Sequence, residues 1–410
     1  MHGYLKGKKI LIGVSGGIAA YKVCEIIRDL TKSGARCRVV MTSAATKFIT
    51  PLTLETLSEA PVLCELFPET SRSDVIHIEA ARWPDMILLC PATANLIGKI
   101  AHGIADNLLT CICMATQAPI LFCPAMNTQM YLNPIVQDNL KKLRQFNYRF
   151  IEPATGNLAC HETGIGRLAE KEDILKSMVQ VLYASNKLKG IKILVTAGRT
   201  EENLDPVRFL TNRSSGKMGF ALAEVAALHG AEVTLISGPN NLKPPPGIKQ
   251  IRINSAAEMA VQVFQIAAAQ QIIIMAAAVA DFRPKIISPT KIKKKTNLLK
   301  IEFEQTVDIL ATLGQRKGNQ LLVGFALETD NQQKNAIQKL KEKHLDLIVL
   351  NDPQIAGAGF DTDTNQVTLI DKNENILEIS LTSKFEVAQK IFDKIIEMSN
   401  SSRDLTPEIG

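Results

Sequence analysis

A strand pattern that runs into a glycine-rich turn and then a helix recurs along this chain, and it restricts the fold more than any other feature. Lys9–Val14 reads as a buried strand, Gly16-Gly17 follows it, and Ile18–Lys32 has helical spacing up to Gly34. Arg38–Thr42 is the next strand, which makes the stretch one βαβ unit. Further apolar runs at Met86–Cys90, Ile120–Cys123 and Tyr148–Ile151 alternate with helix-forming segments. Strands without polar alternation need cover on both faces, so the pattern predicts a parallel sheet between helical layers.

At 410 residues the chain is longer than a single hydrophobic core normally serves. After a short polar stretch, Leu182–Gly190, the strand pattern restarts at Ile191–Thr196 and continues through Val233–Ser237, Ile272–Ala276, Leu321–Phe325 and Leu347–Leu350. The fold class is α/β with two parallel-sheet domains, expected over 1–181 and 191–399 with a linker over 182–190. Val367–Ile370 and Ile376–Ile379 flank a polar turn and predict a hairpin. A last helix begins with Ser383 and Glu386 in capping-box spacing, and 400–410 is read as a polar tail.

Composition excludes several classes. A hydrophobic fraction of 46% with 21% charged residues fits a globular protein, and no uninterrupted apolar span points to a membrane. Met1–Lys6 leads directly into the first strand and leaves no apolar signal region. None of the eight cysteines follows Cys160, an arrangement unlike a disulfide framework, so reduced thiols and a cytoplasmic location are expected, with Cys90 and Cys123 as core residues. The net charge of +6 suits small anionic substrates. The basic run Lys291–Lys295 lacks interleaved aromatics, so nucleic acid is not an expected partner. Cys111 and Cys113, with His102 and His161 elsewhere, make a single C-x-C without a second pair, and no metal ligands are assigned.

The Gly16-Gly17 turn can receive a phosphate on backbone N–H groups, although its spacing is not that of the dinucleotide fingerprint. Taken with His77-Ile78-Glu79, Pro91–Asn95, Gly103–Asn107 and Pro124–Asn127, the segment Gly13–Lys22 resembles the homo-oligomeric flavin-containing cysteine decarboxylases. That resemblance implies a Rossmann-like flavoprotein domain binding FMN, with Ser15, Gly16, Gly17, Ser43, Thr93 and Asn127 at the flavin. It implies His77 as catalytic base and Asn127 at the substrate carboxylate. Oxidising a cysteinyl thiol to a thioaldehyde makes its carboxylate comparable to that of a β-keto acid, and the cofactor carries the electrons. An imidazole titrating at about 6.5 moves the proton near neutrality. Cys160, in Gly156–Arg167, resembles the acid of the family's substrate clamp, and His161 stands where the family has glycine.

In the second half, Thr196–Glu202 follows a strand, and Asn212–Gly219 opens a helix. Their hydroxyls, glycine and helix N–H groups suggest a phosphate cradle without the P-loop spacing. Asp205–Gly219, Ala276–Pro284, Lys291–Lys294 and Gly324–Thr329 are similar to the phosphopantothenate–cysteine ligases. The resemblance implies CTP as co-substrate, Mg²⁺ on its triphosphate, Asn212 near an acyl-cytidylate, and Asp281, Lys291 and Phe325 at the nucleotide. Arg199 replaces a usual proline, and Thr306-Val307 replaces Asn-Pro.

Both resemblances, in this order, imply a fused enzyme of coenzyme A biosynthesis. It takes 4′-phosphopantothenate, L-cysteine and CTP, and forms a homo-oligomer: a dodecamer of trimeric flavin domains with paired ligase domains and active sites shared between subunits. A nicotinamide-dependent dehydrogenase, a flavin carrier without turnover, an assembly protein, and a chain with one active half are the competing readings. Release of carbon dioxide separates the enzyme from the carrier.

Overall fold

The computed structural model describes residues 4–67, 75–157, 163–245, 247–293, 300–327, 331–351, 355, 357–359 and 361–402. The chain divides into two compact units, Met1–Ala184 and Ser185–Gly410.

In the first unit, β1 (Lys9–Val14), β2 (Arg36–Met41), β3 (Met86–Ala92), β4 (Ile120–Pro124) and β5 (Arg149–Phe150) form a parallel sheet in the order β2-β1-β3-β4-β5. Every residue of β3 and β4 is buried, which is why these strands read as continuous apolar runs. Helices α1 (Val23–Lys32), α2 (Pro51–Ser58), α3 (Ile76–Arg82), α4 (Ala94–Ala101) and α5 (Leu108–Ala115) come from the connections. They are followed by α6 (Thr128–Leu132), α7 (Pro134–Gln145) and, after an antiparallel ribbon of β6 (Ala154–Asn157) and β7 (Thr163–Arg167), α8 (Lys171–Tyr183). Leu11, Val40, Ile87, Leu89 and Phe122 centre one core. Phe122 stacks on Phe150 at 4.7 Å and meets Tyr148 edge-on at 5.8 Å, which seats the edge strand.

Several boundaries depart from the sequence pattern, among them β2, which starts at Arg36, and α13, which takes in 400–402 of the expected polar tail. Ile18–Lys22 is a 3₁₀ turn rather than the start of α1, since Gly17 enters it extended and supplies no side-chain cap. Leu182 and Tyr183 continue α8, where the Tyr183 hydroxyl donates to the Tyr4 carbonyl at 2.7 Å.

The second unit carries β8 (Lys192–Ala197), the ribbon β9 (Glu201–Asn203) with β10 (Phe209–Thr211), α9 (Lys217–Leu228), β11 (Glu232–Ser237), β12 (Lys249–Arg252) and α10 (Ala256–Ala267). Next come β13 (Ile272–Met275), the ribbon β14 (Phe282–Pro284) with β15 (Phe303–Gln305), α11 (Ile309–Arg316), β16 (Leu321–Leu327) and α12 (Gln332–Glu342). It closes with β17 (Leu347–Asn351), β18 (Thr364–Asp371), β19 (Ile376–Ser383) and α13 (Lys384–Ser402). The main sheet runs β12-β11-β8-β13-β16-β17-β18-β19. It is parallel up to β17, and the β18–β19 hairpin adds an antiparallel edge. Asp371 organises that hairpin's turn by accepting from the Asn373 and Asn375 N–H groups at 2.9 and 3.0 Å. Ser383 Oγ accepts from the Glu386 N–H at 3.2 Å, while the Glu386 carboxylate accepts from the Thr382 hydroxyl.

Candidate active sites

In the first unit, the loops after β1, β3 and β4 surround a cavity of about 880 Å³, within the range of small-molecule sites. This is the carboxyl edge of the parallel sheet, where α/β proteins place ligands. Ser15, Gly16, Gly17, Ser43, Thr93 and Asn127 all line it, so the structure brings together every residue of this half expected at the flavin. Ser15, buried at the end of β1, donates from Oγ to the Pro91 carbonyl at 2.7 Å and accepts from the Thr93 N–H at 3.0 Å. Thr93 in turn caps α4 by accepting from the Leu96 N–H at 3.4 Å. A Cβ on Gly16 would lie 2.4 Å from the Ala44 Cβ, so only glycine lets the two loops meet; on Gly17 the nearest atom is Thr93 Cγ2 at 3.4 Å.

The Pro124–Asn127 segment closes the opposite wall. Asn127 caps α6, its Oδ1 accepting from the Gln129 N–H at 2.8 Å, which leaves the amide nitrogen as the donor end of the side chain. The Met126 N–H donates to the Gly166 carbonyl at 2.9 Å and docks the β6–β7 ribbon against this wall. His77 sits half-buried on α3 and does not line the cavity of its own chain. Cys160 and His161 lie outside the described residues.

Sequence reasoning did not assign the cations Lys22, Lys99 and Arg167, which line the same cavity. Lys99 pairs with Asp106 at 2.6 Å and Arg167 with Glu170 at 3.2 Å. The charges of Lys22 and Arg167 stand in the quoted motifs and that of Lys99 outside them, and the convergence of all three depends on separate connections. The lining fits FMN: Lys22, Lys99 and Arg167 suit a phosphate, while Ile18, Leu96, Met126 and Met130 offer apolar walls to a flat ring.

In the second unit a smaller cavity of about 180 Å³ lies between the start of α9, the segment after β13, the end of β16 and the residue Lys384. Ser214–Gly219 and Phe325 line it, in agreement with a phosphate cradle at the α9 terminus. Asn212 is outside the lining but holds its wall, donating from Nδ2 to the Ala278 and Val279 carbonyls at 3.2 and 3.3 Å. Asp281 is exposed just beyond that wall. Lys291 is also exposed and away from the lining; its neighbour Ile292 is tied by its N–H to Asp205 Oδ2 at 3.1 Å. Burial would raise the Asp205 carboxyl, but N–H groups of Val207, Ile292 and Arg208 hold it below the usual range.

Thr196 and Thr200, read from sequence as hydroxyls for a phosphate, are fully buried and hydrogen-bonded to backbone. The cradle therefore rests on Ser214–Gly219 alone. Lys384 was missed: burial, then the charge of Lys217, pushes its ammonium down to about 8. Its Nζ donates to the Gly359 carbonyl at 3.2 Å. Lys217 pairs with Asp363 at 2.9 Å, and this contact raises it.

Two successive α/β units, each with its own cavity, define the class. The family described as "Flavoprotein" matches residues 2–183, and "DNA/pantothenate metabolism flavoprotein C-terminal domain" matches 188–398. The coenzyme A biosynthesis bifunctional protein CoaBC of Bacillus subtilis is 46% identical over 402 residues, covering 97% of this chain and 99% of that protein. Its Escherichia coli counterpart is 42% identical over 396 residues, covering 96% and 97%. A crystal structure of the C-terminal domain of a CoaBC protein is 45% identical, covers 53% of this chain and all of that one, and has a TM-score of 0.47. A structure described as an FMN-dependent cysteine decarboxylase, SpaF, is 28% identical, covers 44% and 99%, and has a TM-score of 0.39. The chain belongs to the CoaBC family of bifunctional coenzyme A biosynthesis proteins. It is a flavoprotein and an enzyme with a decarboxylase and a ligase activity.

Proposed function

We propose that the second unit activates the carboxylate of 4′-phosphopantothenate with CTP and Mg²⁺, releasing pyrophosphate and forming an acyl-cytidylate. The cysteine amine then attacks that acyl carbon and CMP leaves. The first unit decarboxylates the product, 4′-phospho-N-pantothenoylcysteine, to 4′-phosphopantetheine. The observation that carries this reading is the 880 Å³ cavity, where all six expected flavin residues of one half meet.

FMN, when bound, would supply the two-electron redox chemistry that makes loss of the carboxylate feasible. Ser15 and Thr93 would hold it among the loops they tie together, and Lys22, Lys99 and Arg167 would be available for its phosphate. Asn127 donates from its amide nitrogen to the substrate carboxylate. His77 acts as the base on the substrate proton, and its position outside its own chain's cavity fits a homo-oligomer in which a neighbouring subunit supplies it. Cys160 returns a proton after carbon dioxide leaves. In the second unit, Ser214–Gly219 receives phosphate, Phe325 borders the nucleotide, and Asp281 binds it. Lys291 offsets charge on the rearranging phosphates, and Asn212 lies beside the acyl group. The expected assembly is a dodecamer of flavin-domain trimers with paired ligase domains. Reduced thiols at the described cysteines fit the cytoplasm as its compartment.

The test is a mass-resolved assay of purified protein with 4′-phosphopantothenate, cysteine, CTP and Mg²⁺. Acyl-cysteine followed by 4′-phosphopantetheine and carbon dioxide is the expected course. Accumulation of the acyl-cysteine alone would remove the decarboxylation step, and a folded, flavin-bearing protein giving neither product would overturn the whole reading.

A further inference from the structure

Between β13 and β14 the chain passes through Ala276–Asp281 without a helix or strand ladder of its own, apart from one bridge between Ala278 and Arg199. Buried peptide groups need partners, and here side chains supply most of them. The Ala277 N–H donates to Thr196 Oγ1 at 3.2 Å, and the Ala280 N–H to Thr200 Oγ1 at 2.9 Å. The Thr306 hydroxyl donates to the Ala280 carbonyl at 2.6 Å, and its N–H to the Asp281 carbonyl at 2.9 Å. Asn212 holds the carbonyls of Ala278 and Val279. Ala280 is thus gripped on both sides of its Cα by threonine hydroxyls from two distant parts of the chain. Its peptide groups lead into Asp281 on one side and the cavity wall Ala276–Ala278 on the other.

We propose that Thr200 and Thr306 are positioning residues for ligation: they set the Ala276–Asp281 segment in the one conformation that presents both cavity wall and Asp281 to the nucleotide. The inference rests on the reading of this cavity as the nucleotide site. The Thr306 hydroxyl and N–H together fasten the Ala280–Asp281 peptide. Thr200 is fully buried, and valine has nearly its shape without an acceptor, so Thr200→Val leaves the Ala280 N–H unpaired with little change in packing.

The experiment uses the full-length protein and two readouts. Thr200→Val is expected to raise the KM for CTP about tenfold with kcat changed by less than about threefold. It should also speed amide exchange at 277–281 about tenfold, with Thr200→Ser restoring both values. A hydroxyl that merely stabilised the fold would lower the active fraction and leave KM unmoved. Decarboxylation of supplied 4′-phospho-N-pantothenoylcysteine should stay at its native rate in the same preparations. Unchanged exchange, or faster exchange with unchanged KM, overturns the proposal. If Thr200→Val fails to fold, Thr306→Val at a half-buried position decides by the same two measurements. A native protein that ligates without CTP overturns the nucleotide reading, and the exchange result then still decides whether the hydroxyls hold the segment.

Discussion

The two units use the same sheet edge in different ways. In the first, one short strand–turn–helix passage supplies Ser15, Gly16 and Gly17, and adjacent loops add Ser43, Thr93 and Asn127, so a cavity of about 880 Å³ closes from contiguous motifs. In the second, the cavity is about 180 Å³ and draws on α9, the segment after β13, the end of β16 and the first residue of α13. Of the four ligase residues expected at the nucleotide or acyl group, only Phe325 lines it. A site built from turns between neighbouring parallel strands is legible residue by residue. One whose wall is an irregular segment held by distant side chains is not.

The largest expected effect tests how rigidly the first cavity depends on its turn. Gly16→Ala drives a methyl into Ala44 and should abolish bound flavin absorbance and decarboxylation, while ligation continues. Retention of native flavin would show that the Ser43–Ala44 loop can yield. For the second unit, Asp281→Asn should lower ligation by about 10- to 100-fold with decarboxylation intact, measured as CMP release against carbon dioxide release. A ligation rate within twofold of native, on the order of experimental scatter, would take Asp281 out of the nucleotide site.

A smaller effect concerns the buried ammonium of Lys384. Its folded value of about 8 lies below the ordinary lysine value of 10.5, so between those pH values the unfolded chain binds more protons and stability rises with pH. Below about 8 both states are protonated and the burial penalty is complete. Lys384→Met should flatten the rise, worth on the order of 2 kcal/mol, in urea titrations of the full chain followed by amide exchange in the second unit, which carries no tryptophan or tyrosine. A variant with the same slope as the native chain would assign the rise elsewhere. The smallest effect sharpens the first: Gly17→Ala meets only ordinary contact at 3.4 Å, and its melting temperature should stay within about 2 °C of native.

Strand positions were readable because parallel strands are buried on both faces: Ile10–Val14, Met86–Ala92 and Ile193–Val195 have no polar alternation to confuse the pattern. The boundary of α1 was less legible, because an extended Gly17 favours a tight 3₁₀ entry that helical spacing alone does not distinguish. Thr196 and Thr200 looked like phosphate ligands because hydroxyls beside a glycine suit that task. Whether a hydroxyl faces a ligand or a neighbouring peptide depends on chain segments about eighty residues away, at Ala277 and Ala280.

The sequence by itself determined two α/β units, their order, and the cluster of flavin-site residues, since short-range periodicity and local motifs carry that information. Only the tertiary structure decided that Lys22, Lys99 and Arg167 converge, that His77 stays outside its own chain's cavity, and that Lys384 loses affinity for its proton. Convergence and burial are properties of segments far apart in the chain, and the electrostatic cost of burying a charge exists only once those segments have packed.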